Sequence, residues 1–424
     1  VLENEAAADA LGFALTSATC DNGDDPSAIT LMPDDNVTCR FVNAAQGTVS
    51  FNKITLGGNG TFNYTNDFGG AIPGPFPITA VGGGGTYDAG IVDAGSYIIT
   101  ENDPIDDGFV LTNLSCDDPD GGTGTDLGNR TVYLDVDAGE TIDCTFTNTK
   151  LGSIVVEKIT LPDGSSETFA FEGDAAGSIA DGGSITVGNL LPGPYTTQEL
   201  GKDGWDLTEI SCDDGESDNP SSGNIETGTA SFNVDAGETV TCTFKNIQRG
   251  TIEIVKSVTP VGDNDQSFTF NSTGFFLDGI SLTELPLTPL SGVMPASTGE
   301  LEVMPVLAGD VSPYSVAETV PDGWVQVSAT CDDGSDPEVG IDVGPGEAVI
   351  CTFTNSVLGS STITKNTIGG QDGDTFMFTG SAPFDGMTLI TAGGTATEDF
   401  PSQLEAGQYT LDEDPKSGWE LTKV

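Results

Sequence analysis

The sequence predicts an all-β protein, a tandem array of β-sandwich repeats of about 100 residues each. The first observation is a CxFxN motif that recurs through the chain and ends at Asn43, Asn148, Asn246 and Asn355. The second is a set of short runs in which apolar and polar residues alternate, a pattern typical of strands with one buried face. The third is the abundance of turn formers, 57 glycines and 23 prolines.

The spacing of this motif divides the chain into repeats. Successive asparagines lie 105, 98 and 109 residues apart, the size of a small β-sandwich domain. The predicted regions are a C-terminal half-repeat (1–43), repeat 1 (44–148), repeat 2 (149–246), repeat 3 (247–355) and the N-terminal part of a further repeat (356–424). We expect two insertions, both in loops between strands: a glycine-rich one near 69–90 and an apolar, proline-rich one at 275–313.

The two partial repeats allow two interpretations. Glu3 and Glu413 lie 410 residues apart, four whole periods, so the chain starts and stops at nearly the same point of the repeat. The sequence favours a segment of a longer array, because the two ends duplicate about a dozen residues. The alternative is a subunit whose half-repeats are completed head to tail by neighbouring copies, as in strand-exchange fibres.

Charge and composition exclude several classes of function. Sixty-six acidic residues against twelve basic ones give a net charge of -54, so we expect no nucleic-acid partner. The absence of histidine excludes histidine-based acid–base catalysis and histidine-ligated metals. No apolar run approaches the ~20 residues of a membrane-spanning helix. We therefore expect neither an enzyme with an external substrate nor a membrane span.

Eight cysteines, in a chain without a CxxC motif, indicate disulfides and an oxidising environment. Each repeat carries one cysteine at the end of a strand and one in the CxFxN motif. The simplest pairing is one disulfide per repeat: Cys20–Cys39, Cys116–Cys144, Cys212–Cys242 and Cys331–Cys351. Each would close a short loop, which stabilises by about 3 kcal/mol in the chain-entropy picture. Free thiols are the alternative.

Strand parity places three polar residues of each whole repeat on the buried face. The asparagine of the CxFxN motif shares a face with the cysteine and the phenylalanine. A lysine follows ten residues later, in a strand whose same-face residues are apolar, and a glutamate lies four residues after a recurring tyrosine. The lysines are Lys53, Lys158, Lys256 and Lys365, and the glutamates are Glu101, Glu199, Glu318 and Glu413. Glu3, in the VLEN run at the start, is the matching glutamate of a further copy.

Burial of a lysine, a glutamate and an asparagine together favours a covalent reaction. Desolvation lowers the pKa of the lysine and raises that of the glutamate, so a neutral amine stands beside a protonated acid. The amine is then a nucleophile, and the acid can polarise the asparagine carbonyl and pass a proton to the leaving ammonia. The predicted product is a Lys–Asn isopeptide bond. The alternatives are a buried Lys–Glu ion pair with a hydrogen-bonded asparagine, or a lysine that snorkels from an edge strand.

The run Y-x-x-x-E-x-x-x-x-G-W, found at Tyr195, Tyr314 and Tyr409 beside the strand lysine and the terminal asparagine, resembles the Cna B-type (SpaA-like, prealbumin-fold) domains. Such domains build Gram-positive pilins and surface adhesins. The resemblance covers the whole chain and implies Ig-like, prealbumin-like sandwiches with autocatalytic cross-links promoted by a glutamate. The implied sets are Lys53–Glu101–Asn148, Lys158–Glu199–Asn246 and Lys256–Glu318–Asn355, while Glu3, Asn43, Lys365 and Glu413 belong to incomplete sets.

The expected function is that of an extracellular structural repeat protein, a stalk, filament or pilus-like fibre, cell-surface or secreted. Its expected partners are neighbouring copies or further repeats of the same chain. The alternative is an adhesin that binds glycan or a host or surface protein through the insertions of repeats 1 and 3. No cofactor is expected except calcium, for which acidic loops such as the one after Cys116 are candidates, although solvated acidic turns are commoner.

Overall fold

The computed structural model describes residues 3–4, 7–8, 10–69, 74–215, 217, 219–260, 266–274, 285–289 and 296–423. Its regular elements are β-strands and one 3-10 helix (Ile105–Asp107), which confirms the predicted all-β class. Within these ranges, no helix has the length and apolar character needed to cross a bilayer.

The described residues of the first partial repeat and of repeat 1 form eleven strands. They are β1 (Phe13–Cys20), β2 (Cys39–Ala45), β3 (Gly47–Leu56), β4 (Gly60–Asn66), β5 (Phe76–Ala80), β6 (Gly84–Val92), β7 (Gly95–Glu101), β8 (Phe109–Asp117), β9 (Gly124–Asp126), β10 (Thr131–Val136) and β11 (Thr141–Lys150). Repeat 2 contains β12 (Gly152–Leu161), β13 (Phe169–Gly173), β14 (Gly177–Ile179), β15 (Ser184–Leu190), β16 (Gly193–Glu199), β17 (Trp205–Asp213), β18 (Ser222–Asn224), β19 (Thr229–Val234) and β20 (Thr239–Gln248).

The described strands of the remaining regions follow in order. Repeat 3 contains β21 (Gly250–Thr259), β22 (Phe268–Thr273), β23 (Leu285–Leu287), β24 (Ala296–Ser297), β25 (Leu301–Val303), β26 (Ser315–Thr319), β27 (Trp324–Cys331) and β28 (Ala348–Val357). The last partial repeat contains β29 (Gly359–Asn366), β30 (Thr375–Gly380), β31 (Thr388–Ile390), β32 (Thr395–Leu404) and β33 (Leu411–Glu413).

Two compact units divide the chain. The first comprises Val1–Ile159, Gly164–Gly201 and Leu207–Lys245, and the second Thr160–Asp163, Lys202–Asp206 and Asn246–Val424. The first unit therefore holds β1, β2, repeat 1 and most of repeat 2. The second holds repeat 3 and the last partial repeat.

Repeat 1 is a sandwich of two sheets. One sheet has the order β6-β3-β11-β8, and the other has the order β5-β4-β7-β10-β9. Strands β3 and β11 lie side by side in parallel, and β8 joins β11 antiparallel. Alternate residues of both sheets point inward, as period-two patterning predicts, and form a core that includes Phe51, Tyr64 and Phe146.

The other whole repeats keep this design. Repeat 2 has sheets of order β15-β12-β20-β17 and β14-β13-β16-β19-β18. In repeat 3, β21 again runs parallel to β28 and β27 joins β28 antiparallel, while β24 and β25 both pair with β21. Its second described sheet has the order β23-β22-β26.

The two predicted insertions are only partly described. Residues 70–73, 275–284 and 290–295 lie outside the described residues. Where the structure describes the insertions, the prediction of loops was wrong, because they contribute β5 and β6 in repeat 1 and β23, β24 and β25 in repeat 3. Strand β5 alternates buried and exposed residues, so its apolar side chains enter the core despite the glycine-rich surroundings.

A glycine opens the lysine-bearing strand of every whole repeat. A Cβ on Gly47 would lie 2.4 Å from Val136 Cγ1, and one on Gly250 would lie 2.3 Å from Val343 Cγ1. The strand can start this close to the valine only without a side chain. This close approach fixes the start of the strand six residues before its buried lysine.

Candidate functional site

The predicted lysines occupy the cores of the three whole repeats. Lys53, Lys158 and Lys256 are at most 1% exposed. They lie on β3, β12 and β21, each of which has strands on both sides within its sheet. A lysine that snorkels from an edge strand is therefore excluded for these repeats.

The three predicted side chains of repeat 1 meet inside the sandwich. Lys53 Nζ lies 2.9 Å from Glu101 Oε1 and donates a hydrogen bond of 2.5 Å to Asn148 Oδ1. Asn148 Nδ2 donates a hydrogen bond of 2.6 Å to the same Glu101 oxygen. All three residues are buried. The amine, the amide and the carboxyl group thus form a closed triangle away from water.

Strand register explains how these three groups meet. Lys53 on β3 pairs with Phe146 on the parallel strand β11, and Asn148 follows two residues later on the same face. Glu101 ends β7 in the other sheet, where it pairs with Tyr64 of β4. The nucleophile and the amide therefore come from one sheet, and the carboxyl group comes from the sheet that faces it.

Burial controls the charges in this triangle. It lowers the pKa of Lys53 to about 8, and the attraction of Glu101 only partly opposes this effect. Burial also raises the pKa of Glu101, against the influence of Lys53 and Asn148. Glu101 Oε2 has no hydrogen-bond partner among the described residues, which further disfavours the ionised carboxylate. The pKa values of the amine and the acid are thus closer together than in water, so the proton moves more easily from one group to the other.

Aromatic rings surround the lysine and supply the apolar environment. Lys53 Nζ lies 4.2 Å from the centroid of Phe62, 5.9 Å from that of Tyr64 and 5.8 Å from that of Phe146. Ring faces attract an ammonium, but they provide no hydrogen-bond acceptor. These rings exclude water from the triangle. The amine of Lys53 therefore hydrogen-bonds to the carboxyl group of Glu101 and the amide of Asn148 instead of to water.

Repeat 3 contains the same residues in a looser arrangement. Lys256 Nζ lies 3.0 Å from Glu318 Oε1, which also accepts a hydrogen bond of 3.0 Å from Asn355 Nδ2. Lys256 donates instead to the carbonyl oxygen of Phe353, at 3.4 Å, and Asn355 Oδ1 has no hydrogen-bond partner in the described part of the chain. Burial lowers the pKa of Lys256 and raises that of Glu318.

Repeat 2 brings its lysine and glutamate together. Lys158 Nζ lies 3.6 Å from Glu199 Oε2 and donates a hydrogen bond of 3.0 Å to the carbonyl oxygen of Phe244. Burial lowers the pKa of Lys158 to about 8. Asn246 follows Phe244 by two residues on β20 and is also buried.

The partial repeats hold complementary parts of the set. Lys365 Nζ donates to both oxygens of Glu413, at 2.7 and 2.6 Å, and these side chains are 11% and 13% exposed. Asn43 donates a hydrogen bond of 2.5 Å to Glu3 Oε1 at the surface. The last partial repeat thus carries a lysine and a glutamate, and the first carries an asparagine and a glutamate.

Four disulfides join the pairs that the repeat predicts: Cys20–Cys39, Cys116–Cys144, Cys212–Cys242 and Cys331–Cys351. In repeat 1 the two cysteines face each other across β8 and β11, with Cα atoms 4.0 Å apart. Cys144 lies on the same face as Asn148, four residues earlier. Strand β11 is therefore tied covalently to β8, next to the triangle.

The acidic loop after Cys116 brings three carboxyl groups together. Asp118, Asp120 and Glu140 each offer an oxygen, all within 4.8 Å of one another. Asp118 accepts backbone N–H bonds from Gly121 and Thr123, and Glu140 accepts one from Asp137. These bonds shape the loop, as in a solvated acidic turn. Calcium binding stays a prediction.

The phenylalanine beside each lysine was not found by the sequence reasoning. Phe169, Phe268 and Phe376 have their ring centroids 4.3–4.4 Å from the respective lysine Nζ, as Phe62 does at 4.2 Å. A signal was present, because each opens an F-x-F or F-x-Y run 9 to 12 residues after the lysine. Only the strand register shows that these rings lie over the amine.

Comparison with known proteins places these features in a family. One family profile, described as a prealbumin-like fold domain, matches residues 49–150 and 154–248, and a second profile with the same description matches residues 251–353. No curated protein sequence matches the chain.

Similar solved structures share low sequence identity with this chain. The Bacillus anthracis TIE protein is 17% identical over 76% of this chain and 53% of its own, with a TM-score of 0.28. The major pilin SpaD from Corynebacterium diphtheriae is 11% identical over 74% of this chain and 98% of its own, with a TM-score of 0.24. The major pilin from Streptococcus pyogenes is 16% identical over 48% of this chain and 99% of its own, with a TM-score of 0.20. The chain thus spans about half the length of the Bacillus protein.

Proposed function

This chain belongs to the SpaA-like family of prealbumin-fold domains, and we propose that it is an extracellular structural protein of a stalk, filament or pilus-like fibre. Each whole repeat is locked by a disulfide and by an isopeptide bond that forms autocatalytically between lysine and asparagine. The proposed bonds are Lys53–Asn148, Lys158–Asn246 and Lys256–Asn355, promoted by Glu101, Glu199 and Glu318.

The triangle of repeat 1 is the observation that carries this proposal. The amine of Lys53 lies within hydrogen-bond distance of the amide that it would attack, and Glu101 contacts both groups. A fold that holds reacting groups at contact distance replaces a bimolecular encounter with an effectively unimolecular one. The groups need no external catalyst or cofactor.

The reaction balances without a redox step. The neutral Nζ of Lys53 attacks Cγ of Asn148 and forms a new C–N bond. The bond between Cγ and Nδ2 breaks, and Nδ2 leaves as ammonia after it receives a proton. Glu101 donates to the amide as the tetrahedral intermediate forms and takes up the lysine proton, so it ends in its starting protonation state. The product is an amide and one ammonia.

A permanent ion pair at the same place is the competing interpretation. It would keep an ammonium and a carboxylate in the core, and the desolvation penalty for each is several kcal/mol, on the order of the attraction gained. The amide product carries no charge and needs only ordinary hydrogen bonds. Burial therefore favours the cross-linked state over the ion pair.

Intact-mass spectrometry of the reduced, denatured full chain tests this function. We expect a mass lower than that of the sequence by three ammonia molecules, one for each whole repeat. Peptide mapping should then find Lys53 linked to Asn148. Lys53→Ala should restore the mass of one ammonia beyond the substitution itself, whereas Lys423→Ala, at an exposed lysine, should leave the number of losses unchanged. A full mass in the wild-type chain would refute the proposed bonds.

A further inference from the structure

A β-bulge lies opposite the asparagine of repeat 1. Asn148 on β11 pairs with Leu111 on β8. The preceding Thr147 pairs with Asn113, so Thr112 lies between the two pairs without a partner in the ladder. A bulge bends its strand and changes the direction of nearby side chains, and bulges are common next to reactive sites. The ladder is therefore irregular at the residue that the lysine would attack.

The threonine at this bulge holds both neighbours of the asparagine. Thr112 Oγ1 donates a hydrogen bond of 3.2 Å to the carbonyl oxygen of Thr147 and lies 2.8 Å from the hydroxyl oxygen of Thr149. A threonine hydroxyl group has one proton, so Thr112 accepts the second bond from Thr149. Thr147 and Thr149 flank Asn148 on β11. The single side chain of Thr112 thus fixes the strand on either side of the amide.

The same contact recurs where the bulge position is a threonine. This position is the fourth residue before the first cysteine of each disulfide, and its occupants are Thr16, Thr112, Thr208 and Val327. Thr208 donates a hydrogen bond of 3.2 Å to the carbonyl oxygen of Lys245, the residue before Asn246. Thr16 donates one of 2.8 Å to the carbonyl oxygen of Val42. The bond to the peptide group that precedes the asparagine therefore belongs to the repeat and not to one domain.

Repeat 3 has the bulge without the hydroxyl group. Asn355 on β28 pairs with Gln326 on β27. The preceding Thr354 pairs with Ser328, which leaves Val327 at the bulge. The side chain of Val327 is 62% exposed and has no proton to donate to the carbonyl oxygen of Thr354. Repeats 1 and 3 therefore differ at this position by one hydroxyl group.

The two reaction sites differ in the direction of the amide oxygen. In repeat 1, Lys53 Nζ donates a hydrogen bond of 2.5 Å to Asn148 Oδ1. In repeat 3, Asn355 Oδ1 has no hydrogen-bond partner among the described residues, and Lys256 Nζ donates to the carbonyl oxygen of Phe353 instead. Both asparagines donate to their glutamate. Of these two repeats, only the one with the bulge threonine turns its amide carbonyl group toward the amine.

We propose that the bulge threonine positions the asparagine for isopeptide formation, through Thr112 in repeat 1 and Thr208 in repeat 2. This inference rests on the proposed cross-linking chemistry. Thr112 is exposed on the outer face of β8, so it stays outside the buried triangle and transfers no proton. It fixes the peptide group before the asparagine, and the fixed backbone holds the amide carbon in the path of the amine. Thr112 is therefore a positioning residue and not a catalytic one.

The rate of ammonia loss in each repeat tests this role. The full chain is synthesised in a cell-free reaction under oxidising conditions, and samples are stopped in denaturant at intervals. Peptide mapping then gives the cross-linked fraction of each repeat. In the wild-type chain, repeat 3 should react more slowly than repeat 1. Thr112→Val should slow repeat 1 about tenfold, the effect of one neutral hydrogen bond on a rate, and should leave repeat 3 unchanged.

Three further variants separate positioning from a general effect on the fold. Thr112→Ser keeps the hydroxyl group and should restore the rate of repeat 1 nearly to that of the wild type. Val327→Thr supplies the missing hydroxyl group and should speed the reaction of repeat 3 about tenfold. Thr61→Val, the matched control, removes a hydroxyl bond to Thr79 from the other sheet of repeat 1 and should leave every rate unchanged.

Two readouts on the same samples show whether only the chemical step changes. Formation of the Cys116–Cys144 disulfide, followed by alkylation, reports the folding of repeat 1. It should be as fast in Thr112→Val as in the wild type, because valine is well suited to an exposed strand position. The pH profile of cross-linking should keep its two limbs and lose only height, since the hydroxyl group transfers no proton.

The possible failures have different signatures. A Thr112→Val chain that cross-links repeat 1 at the wild-type rate, or a Thr112→Ser chain as slow as the valine variant, would overturn the positioning role. An unchanged rate of repeat 3 in Val327→Thr would overturn it as well. If no repeat of the wild-type chain loses ammonia, the proposed chemistry itself is wrong, and the threonine has no reaction to assist.

Discussion

Repeat 1 and the last partial repeat differ by the strands that complete the sandwich, and their lysines show the effect. Both lysines lie beside a glutamate and under a phenylalanine, at almost equal distances. The side chains of Lys53 and Glu101 are fully buried, whereas those of Lys365 and Glu413 are 11% and 13% exposed. Strand β11, which carries Asn148, is also the strand that covers Lys53.

This difference assigns an order to the proposed reaction. The lysine and the glutamate can assemble before the terminal strand arrives, because Lys365 and Glu413 already do so. The terminal strand then brings the electrophile and removes the water in one step. Desolvation, which makes the amine nucleophilic, therefore coincides with the arrival of the group that it attacks.

The largest effect is expected from removal of the acid in the closed site. Glu101→Gln keeps the shape of the side chain but cannot transfer the proton, so we expect bond formation in repeat 1 to slow by about 10²–10⁴-fold. Mass spectrometry should show one ammonia loss fewer. Glu413→Gln, the matched change in the open site, should leave the number of ammonia losses unchanged, because no asparagine contacts Lys365 in the described part of the last partial repeat. Equal effects of the two substitutions on the number of ammonia losses would contradict the proposed difference between the closed and the open site.

The two ion pairs should also differ in their contribution to stability. Glu101→Ala leaves Lys53 unpaired in the core, which should cost about 3–5 kcal/mol, in addition to the lost cross-link. Glu413→Ala leaves a lysine that can reach water, so the cost should be about 1 kcal/mol or less. Amide hydrogen exchange in β3 and β29 measures both. Similar losses of protection would show that burial does not separate the two sites.

The disulfides of repeat 1 and of the first partial repeat should contribute almost equally to the free energy of unfolding. Removal of Cys116–Cys144 by a double alanine substitution should cost about 3 kcal/mol, and removal of Cys20–Cys39 in the first partial repeat should cost nearly the same. The reason is that the entropy of loop closure depends only logarithmically on the sequence separations of 28 and 19. Denaturant unfolding monitored for each region checks this. The ammonia loss in repeat 1 should persist without its disulfide.

The smallest effect is a pH dependence of the reaction in repeat 1. The reactive state, neutral Lys53 with protonated Glu101, binds as many protons as the ion pair, so the rate should be level between the two pKa values. Above about 8 the pair loses its proton, and below the raised pKa of Glu101 both groups are protonated, so the rate should fall about tenfold per pH unit on each side.

Refolding of unlinked chain from denaturant at a series of pH values, sampled by mass spectrometry, gives this profile. A rate that rises steadily through pH 8 to 10 would mean that the neutral amine alone limits the reaction. The proton relay through Glu101 would then be wrong.

The sequence predicted the site better than its surroundings, for a physical reason. Strand parity alone shows that Lys53, Glu101 and Asn148 point inward, because side chains alternate with a period of two. The cysteine pairs followed from the repeat in the same way. Parity does not say which strands are neighbours, so the rings that cover the amine became visible only with the register.

Pairings made by charged surface residues could not be predicted either. Arg249 donates to both carboxylate oxygens of Asp206, at 2.9 and 2.8 Å, and to Glu302 at 2.9 Å. With sixty-six acidic residues available, the sequence gives no reason to choose these two. The loops expected at the insertions were wrong for a related reason, since short strands such as β5 depend on a neighbour to pair with.

The parallel placement of β3 and β11 determines how repeat 1 responds to tension. A pull on the two ends of the repeat draws these neighbours in opposite directions along their length, so the whole ladder of hydrogen bonds is loaded in shear. Lys53 and Asn148 are 95 positions apart in the sequence. If they are joined, the tension instead passes through one covalent bond, and the segment between them carries none. Without that bond, the same segment would unfold under tension and reach a length of roughly 310–340 Å when fully extended. The proposed cross-link would therefore convert an extensible domain into a link of fixed length.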